Sequence, residues 1–163
     1  MKRLVVVRHA KSSWADIGQK DFDRPLNDRG KKDAPVMGER MLDAGVKINA
    51  FVSSPAKRAL QTCKAFAEAY GKDKAGIILV EKLYHAPSDI YFEAIKEFDD
   101  AHNNVAVFGH NPGITDFVNS LCKDKHIDNM PTCAVFSVQA DVSRWKDFED
   151  AEKEFLFFRT PKD

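Results

Sequence analysis

Three short segments of the chain place cationic or imidazole side chains directly behind a hydrophobic run. In Val7-Arg8-His9-Ala10-Lys11-Ser12-Ser13, an arginine and a histidine follow four aliphatic residues at once. In Ser53-Ser54-Pro55-Ala56-Lys57-Arg58, Ser54 suits a helix N-cap and Pro55 the first helical position, which places Arg58 about one turn into the helix. In Phe108-Gly109-His110-Asn111-Pro112-Gly113, Gly109 lets the backbone pass close to a ligand, and Pro112 can open the next helix. Each segment has a plainer explanation when taken alone: a loop charge, a cap, a turn. Their joint placement at three strand ends is what suggests a site. If the corners converge, two arginines and two imidazoles surround one small volume near helix N-termini, a pocket suited to a tetrahedral dianion. Neighbouring positive charge would disfavour the imidazolium form, keeping a histidine neutral and nucleophilic near pH 7, and would stabilise the charge that spreads over a phosphoryl group during transfer.

The elements that must position these groups are legible in the hydrophobic pattern. Arg3 to Arg8, Phe51 to Ser53, Ile77 to Val80 and Val105 to Phe108 read as buried strands, and Ala134 to Val138 and Phe155 to Arg159 as two more. Helical stretches run from Asp28 to Ala44, Pro55 to Tyr70, Ser88 to Phe98 and Ile114 to Leu121; Pro35 predicts a start or bend in the first. Strands alternating with helices imply βαβ units. The expected fold is an α/β three-layer sandwich, a mostly parallel central sheet with helices on both faces, forming one domain over residues 1–163. Thr160 to Asp163 reads as a short frayed tail, and Trp14, Trp145 and the 12 phenylalanines as core.

Bulk composition narrows the partners. Lys plus Arg and Asp plus Glu both number 25, so no global field steers the chain to nucleic acid or an anionic membrane. No apolar run approaches the roughly 18 residues of a membrane span, and Leu4 to Val7 is too short for a secretory core, so the cytoplasm is the expected location. Cys63, Cys122 and Cys133 are odd in number and lack paired spacing, which reads as three small core residues rather than disulfides or zinc ligands. The histidines show no metal-ligand spacing.

With these motifs in place, the chain resembles the histidine phosphatase superfamily, and most closely its small SixA-type phosphohistidine phosphatases. The resemblance rests on Arg8-His9 after the first strand within Arg8-His9-Ala10-Lys11-Ser12-Ser13-Trp14, on Arg24-Pro25-Leu26-Asn27-Asp28-Arg29-Gly30 followed by Ala34, on Ser53-Ser54-Pro55 with Arg58-Ala59-Leu60-Gln61-Thr62, and on Gly109-His110-Asn111. It implies a phosphoglycerate mutase-like fold. It also implies that His9 is the phosphorylated nucleophile, that Arg8, Arg58 and His110 bind the phosphoryl group, and that no metal or other cofactor is required. Ala10 stands where the family's glycine is usual. Ala15 falls where related mutases often carry asparagine, so that phosphate contact is expected to be absent or to move to Lys11, Ser12 or Ser13. Asn111 stands where the acid-phosphatase branch carries an aspartate, which leaves Glu81, His85 and Asp89 as candidate proton donors.

A weak general acid fits a phosphoramidate, because phosphohistidine can leave as neutral imidazole. The implied activity is thus a metal-independent phosphatase acting on phosphohistidine in proteins. The alternatives are a phosphomonoesterase for sugar or nucleotide phosphates, and a phosphate-binding module without turnover. The implied partner is a phosphorylated protein or small molecule, with a monomer as the default state.

Overall fold

Strand β1 (Lys2–Arg8) is apolar at consecutive positions because both of its faces are covered. Leu4 and Val6 enter one core and Val5 and Val7 the other, the two-residue alternation of a strand. The computed structural model describes residues 1–163. The remaining strands are β2 (Ala50–Ser53), β3 (Ile78–Leu79), β4 (Asn104–Gly109), β5 (Val135–Ala140) and β6 (Lys153–Arg159), joined in one sheet of order β3-β2-β4-β1-β5-β6. The first four in this order are parallel, and β5 and β6 complete the sheet in antiparallel register.

Four helices cover the sheet: α1 (Asp28–Asp43), α2 (Lys57–Ala69), α3 (Ser88–Lys96) and α4 (Gly113–Leu121). Met37 and Met41 of α1 and Cys63 and Phe66 of α2 pack on Val5, Phe51 and Phe108. On the opposite face, Tyr91 and Ile95 of α3 and Phe117 and Val118 of α4 pack on Leu4, Val52 and Val107. This is the expected α/β sandwich. The chain moves one way across the sheet from β1 through β2 to β3 and then doubles back to β4, and right-handed crossovers therefore carry α1 and α2 over one face and α3 over the other.

Several local expectations are corrected. The third strand is not a buried run but a two-residue edge, with Ile78 45% and Leu79 49% exposed. Helix α1 does not start at Pro35: it begins at the Asn27 cap, where the Asn27 side chain accepts from the Gly30 amide at 2.9 Å, and runs through the proline. Trp145 is fully buried as expected; its indole donates to the His102 carbonyl, so the polar segment between β5 and β6 folds back into the core. Trp14 is 71% exposed and is not a core residue. The tail closes in a turn, the Asp163 carboxylate accepting from the Thr160 amide and hydroxyl, and Arg40 of α1 donates to the Pro161 carbonyl at 3.3 Å. All three cysteines are free and buried, and burial pushes the Cys63 and Cys133 thiols up. No helix is long and apolar enough to cross a membrane.

Candidate active site

The crevice of an open α/β sheet opens where neighbouring parallel strands send their following helices to opposite faces. Here that point lies between β1, which continues to α1, and β4, which continues to α4. Arg8 pairs with Gly109 at the strand ends, and the His9 amide donates to the Gly109 carbonyl at 3.1 Å. His9 and His110 thus leave adjacent strand ends with ring centroids 5.2 Å apart. Strand β2 flanks β4 on the other side, and the Ser54 amide donates to the Phe108 carbonyl, which brings the start of α2 and Arg58 to the same edge. The three corners do converge. They line a cleft of about 540 Å³ together with Lys11, Ser12, Trp14, Asp21, Arg24, His85 and Asp116.

The spacing within Arg58-Ala59-Leu60-Gln61-Thr62 has a physical cause. One turn beyond Arg58, the Thr62 hydroxyl donates to the Arg58 carbonyl at 2.8 Å and accepts from the Ala10 amide at 3.0 Å, while Gln61 Oε1 accepts from the Leu26 amide at 2.8 Å. A single helix therefore supplies a guanidinium to the cleft and braces the loop that follows His9. Glycine at position 30 serves the same loop, because a Cβ there would overlap the Lys11 carbonyl.

His9 is buried, and its Nδ1 lies 2.7 Å from the Ala10 carbonyl oxygen. A carbonyl only accepts, so Nδ1 carries the proton and the neutral ring has its lone pair on Nε2. Burial chiefly, and then the charges of Arg58, Arg8 and Arg24, pull the His9 pKa down to about 3. His110 is likewise lowered to about 3, by burial first and then by His9 and Arg58. The sequence pointed to positive charge as the cause of a neutral histidine; the larger cause is burial.

A pH dependence follows from these shifts. Both histidines are neutral in the folded chain but gain protons near 6.5 once unfolded, so acid favours the unfolded state. Above pH 6.5 neither group affects stability. Between 6.5 and about 3 each lowers it by about 1.4 kcal/mol per pH unit, or about 2 kcal/mol each by pH 5. Urea unfolding at pH 7 and pH 5 measures this, and equal midpoints would contradict the buried neutral pair. Activity per folded molecule should show no acid limb at the ordinary histidine range.

The guanidiniums are held by fixed acceptors. Arg8 Nη1 donates to the Met130 carbonyl at 2.8 Å. Arg58 donates from Nη1 to the Asp21 carbonyl at 2.7 Å and from Nη2 to Asp21 Oδ2 at 3.0 Å. Asp21 Oδ1 accepts from Arg24 Nε at 3.1 Å, and Oδ2 from the Tyr84 hydroxyl at 2.6 Å. Partial burial works against the Asp21 charge, but Tyr84, Arg58 and Arg24 outweigh it and hold the carboxyl below the usual carboxylate range. Arg24, itself buried, also reaches Ser12 Oγ at 2.8 Å and lies 3.5 Å from the centre of the Trp14 ring.

Five buried side-chain polar atoms have no protein partner, and three of them are Arg8 Nε, Arg58 Nε and His110 Nδ1. Buried polar atoms are rarely left unpaired in folded proteins. Their concentration on three residues of one cleft fits an anion whose oxygens would satisfy them.

Of the sequence-derived residues, Arg8, His9, Lys11, Ser12, Arg58, His85 and His110 line the cleft, whereas Glu81 and Asp89 do not. His85 is held at φ 63, a left-handed conformation uncommon for a residue with a side chain. Two motif details are corrected. Helix α2 starts at Lys57 after an Ala56 cap without a side-chain bond, so Arg58 is its second residue, and Ser54 turns instead to His110. Pro112 precedes α4 as its cap, and Gly109 is small for Tyr91, whose hydroxyl a Cβ would overlap, rather than for a ligand. Sequence reasoning missed Asp21, Tyr84, Asp116 and the place of Arg24 in the site. The available signal was Asp21-Phe22-Asp23-Arg24, an acid and a base three residues apart next to a recognised motif. No three His, Cys, Asp or Glu side chains are grouped to hold a metal ion.

Comparison with known proteins gives this geometry a family. Residues 4–84, about half of the chain, match the histidine phosphatase superfamily (branch 1). The solved structure of a protein from Agrobacterium tumefaciens assigned as the phosphohistidine phosphatase SixA superposes with a TM-score of 0.81 at 26% identity, covering 98% of both chains. An uncharacterised protein of Mycobacterium tuberculosis is 27% identical over 96% of this chain and 100% of its own length. An uncharacterised chloroplastic protein of Arabidopsis thaliana is 33% identical over 51% of this chain, which spans only 38% of that protein. Arg-His at the end of the first strand, a second histidine at the end of β4, and whole-chain likeness to a SixA structure converge: the chain belongs to the histidine phosphatase superfamily, on the architecture of its SixA-type members.

Proposed function

We propose that the protein is a metal-independent phosphatase that transfers a phosphoryl group to His9 and then to water, with phosphohistidine in proteins as its substrate. The observation that carries this reading is the His9 ring. Its proton is committed to the Ala10 carbonyl, so Nε2 presents a lone pair in the same cleft as the unpartnered Arg8, Arg58 and His110 donors. In the first step Nε2 bonds to phosphorus as the bond to the leaving imidazole nitrogen breaks. In the second, water attacks phosphorus, the bond to Nε2 breaks, and phosphate departs with the neutral ring restored. Arg8, Arg58 and His110, with Lys11 and Ser12 at the rim, bind the equatorial oxygens, whose charge rises in the transition state.

The choice of phosphohistidine over a phosphomonoester rests on leaving-group chemistry. An alkoxide needs a strong general acid. The carboxylate most firmly placed in the cleft, Asp21, is held ionised and cannot donate a proton near neutral pH. Asn111 is engaged through its amide with Asn129 Oδ1 and the Met130 carbonyl and has no acidic proton to offer. Imidazole leaves without an acid of that strength, and of the candidate donors only His85 lies on the cleft wall. Parallel assays on a phosphohistidine peptide and on sugar phosphates, with and without a chelator, test the proposal. The expected result is preferential hydrolysis of the peptide, unaffected by chelation. Preference for sugar phosphates would favour a small-molecule phosphomonoesterase, and loss of activity on chelation would refute a mechanism in which arginines supply the charge.

A further inference from the structure

The two imidazoles of the cleft must do opposite things. One has to offer a lone pair to phosphorus and the other a proton to a phosphoryl oxygen, yet both are neutral and each has a single ring proton to place. For His9 the Ala10 carbonyl decides the matter. For His110 the decision falls to Ser54. This serine is fully buried at the end of β2, and its Oγ lies 2.7 Å from His110 Nε2. The same Oγ accepts from the Ala56 amide at 3.3 Å and has no other hydrogen-bond partner. With an amide proton already directed at the oxygen, the hydroxyl proton has one acceptor within reach, the His110 Nε2 lone pair.

We propose that Ser54 is a positioning residue: its hydroxyl donates to His110 Nε2 and so holds the ring proton on Nδ1, the atom that donates to the phosphoryl group. The opposite tautomer is penalised twice. An Nε2 proton donated to Ser54 would leave the hydroxyl proton unpaired at a fully buried position. It would also present Nδ1, buried and without a protein partner, as a lone pair to the bound phosphoryl oxygen, where two acceptors would face each other. Both rings then carry their proton on Nδ1 yet present opposite character to the cleft. His9 spends its proton on the backbone and shows a lone pair; His110 spends its lone pair on Ser54 and shows a proton. The division between nucleophile and donor is set by one carbonyl and one hydroxyl outside the reacting pair.

The inference rests on the proposed phosphoryl transfer at His9, and the test separates the two. In protein labelled with ¹⁵N-histidine, one-bond N–H couplings report which ring nitrogen of His110 is protonated. Protonation at Nδ1 is expected in the parent protein, and dominance of the Nε2–H form would overturn the proposal. In Ser54→Ala the ring should move toward Nε2–H, and kcat/KM for a phosphoramidate should fall about 10- to 100-fold, as when the partner orienting a functional imidazole is removed. Ser54→Thr, which keeps the hydroxyl, should restore the Nδ1–H signal and most of the rate. An unchanged tautomer and unchanged kcat/KM in Ser54→Ala would overturn the assignment. Should that variant fail to fold, the parent spectrum and Ser54→Thr still decide. Failure of the parent protein to form acid-labile phospho-His9 would instead refute the transfer reaction, whatever tautomer His110 adopts.

Discussion

His9→Ala should lower turnover on the order of 10⁴-fold or more, because it removes the only group in the cleft whose lone pair is exposed by a fixed tautomer. The loss should fall on kcat, since the arginines proposed to bind the phosphoryl group keep their own anchors at Met130 and Asp21. Two further readouts separate a lost nucleophile from a damaged fold. Brief reaction with a phosphoramidate labels the parent chain at an acid-labile, base-stable position, and the label should vanish in His9→Ala. The variant should also lose less stability on going from pH 7 to pH 5, because one of two buried neutral imidazoles is gone. Full activity in a folded His9→Ala protein would end the covalent mechanism.

Arg58→Ala carries the second large effect. Removing a preorganised donor to a transferring phosphoryl group costs on the order of 10²–10³-fold in rate. Here the same side chain also pairs with Asp21, whose side chain is 44% exposed on the cleft wall. Without Arg58 the Asp21 charge is left to Arg24 and Tyr84 and faces the incoming anion less well compensated. We expect kcat/KM to fall by about 10³-fold, toward the upper end of that range, with weaker inhibition by vanadate. Arg58→Lys should recover little. A lysine is a point charge and cannot reach the Asp21 carbonyl and carboxylate while offering a third, separately directed donor, as the guanidinium does with Nε. An Arg58→Lys protein with near-parental kcat/KM would show that charge alone matters and that the forked geometry does not.

The placement of Asp21 gives the cleft a character that a list of cations would not suggest. Arg8, Arg24 and Arg58 concentrate positive charge, but one carboxylate already binds two of them. This keeps the guanidiniums fixed before substrate arrives, so that little reorganisation is needed when an oxyanion forms. It also moderates the field. An uncompensated trio of arginines would bind phosphate, the product, more tightly, and product release limits many enzymes.

How far the molecule can be read from its residues differs between elements. β1, β2, β4 and α1 to α4 fall within two residues of where the hydrophobic pattern puts them, because a strand buried on both faces and an amphipathic helix leave strong periodic signals. β3 reads as buried in the sequence because four aliphatic residues look alike at an edge and in a core, and only pairing with β2 on one side distinguishes them. Trp14 reads as core for a similar reason: a large aromatic ring is usually buried, and nothing local reveals that Arg24 lies against its face. Ser54 and Gly109 read locally as a cap and as a close approach to a ligand, but Ser54, besides accepting from the Ala56 amide, meets His110, and Gly109 meets Tyr91, each on another element.

The sequence by itself determined the layered α/β architecture and the positions of Arg8, His9 and His110 at strand ends and of Arg58 in the first turn of a helix, because these follow from periodicity along one segment at a time. The tertiary structure alone decided the order of strands, the meeting of β1 and β4 at the crevice, and the partners that give each side chain its protonation state and direction. Those are relations between segments far apart in the chain: Ala10 with Thr62, Asp21 with Arg58 and Tyr84, Ser54 with His110. Hydrogen bonds act over about 3 Å and burial depends on every neighbour at once, so neither is encoded in the spacing of residues along a single element.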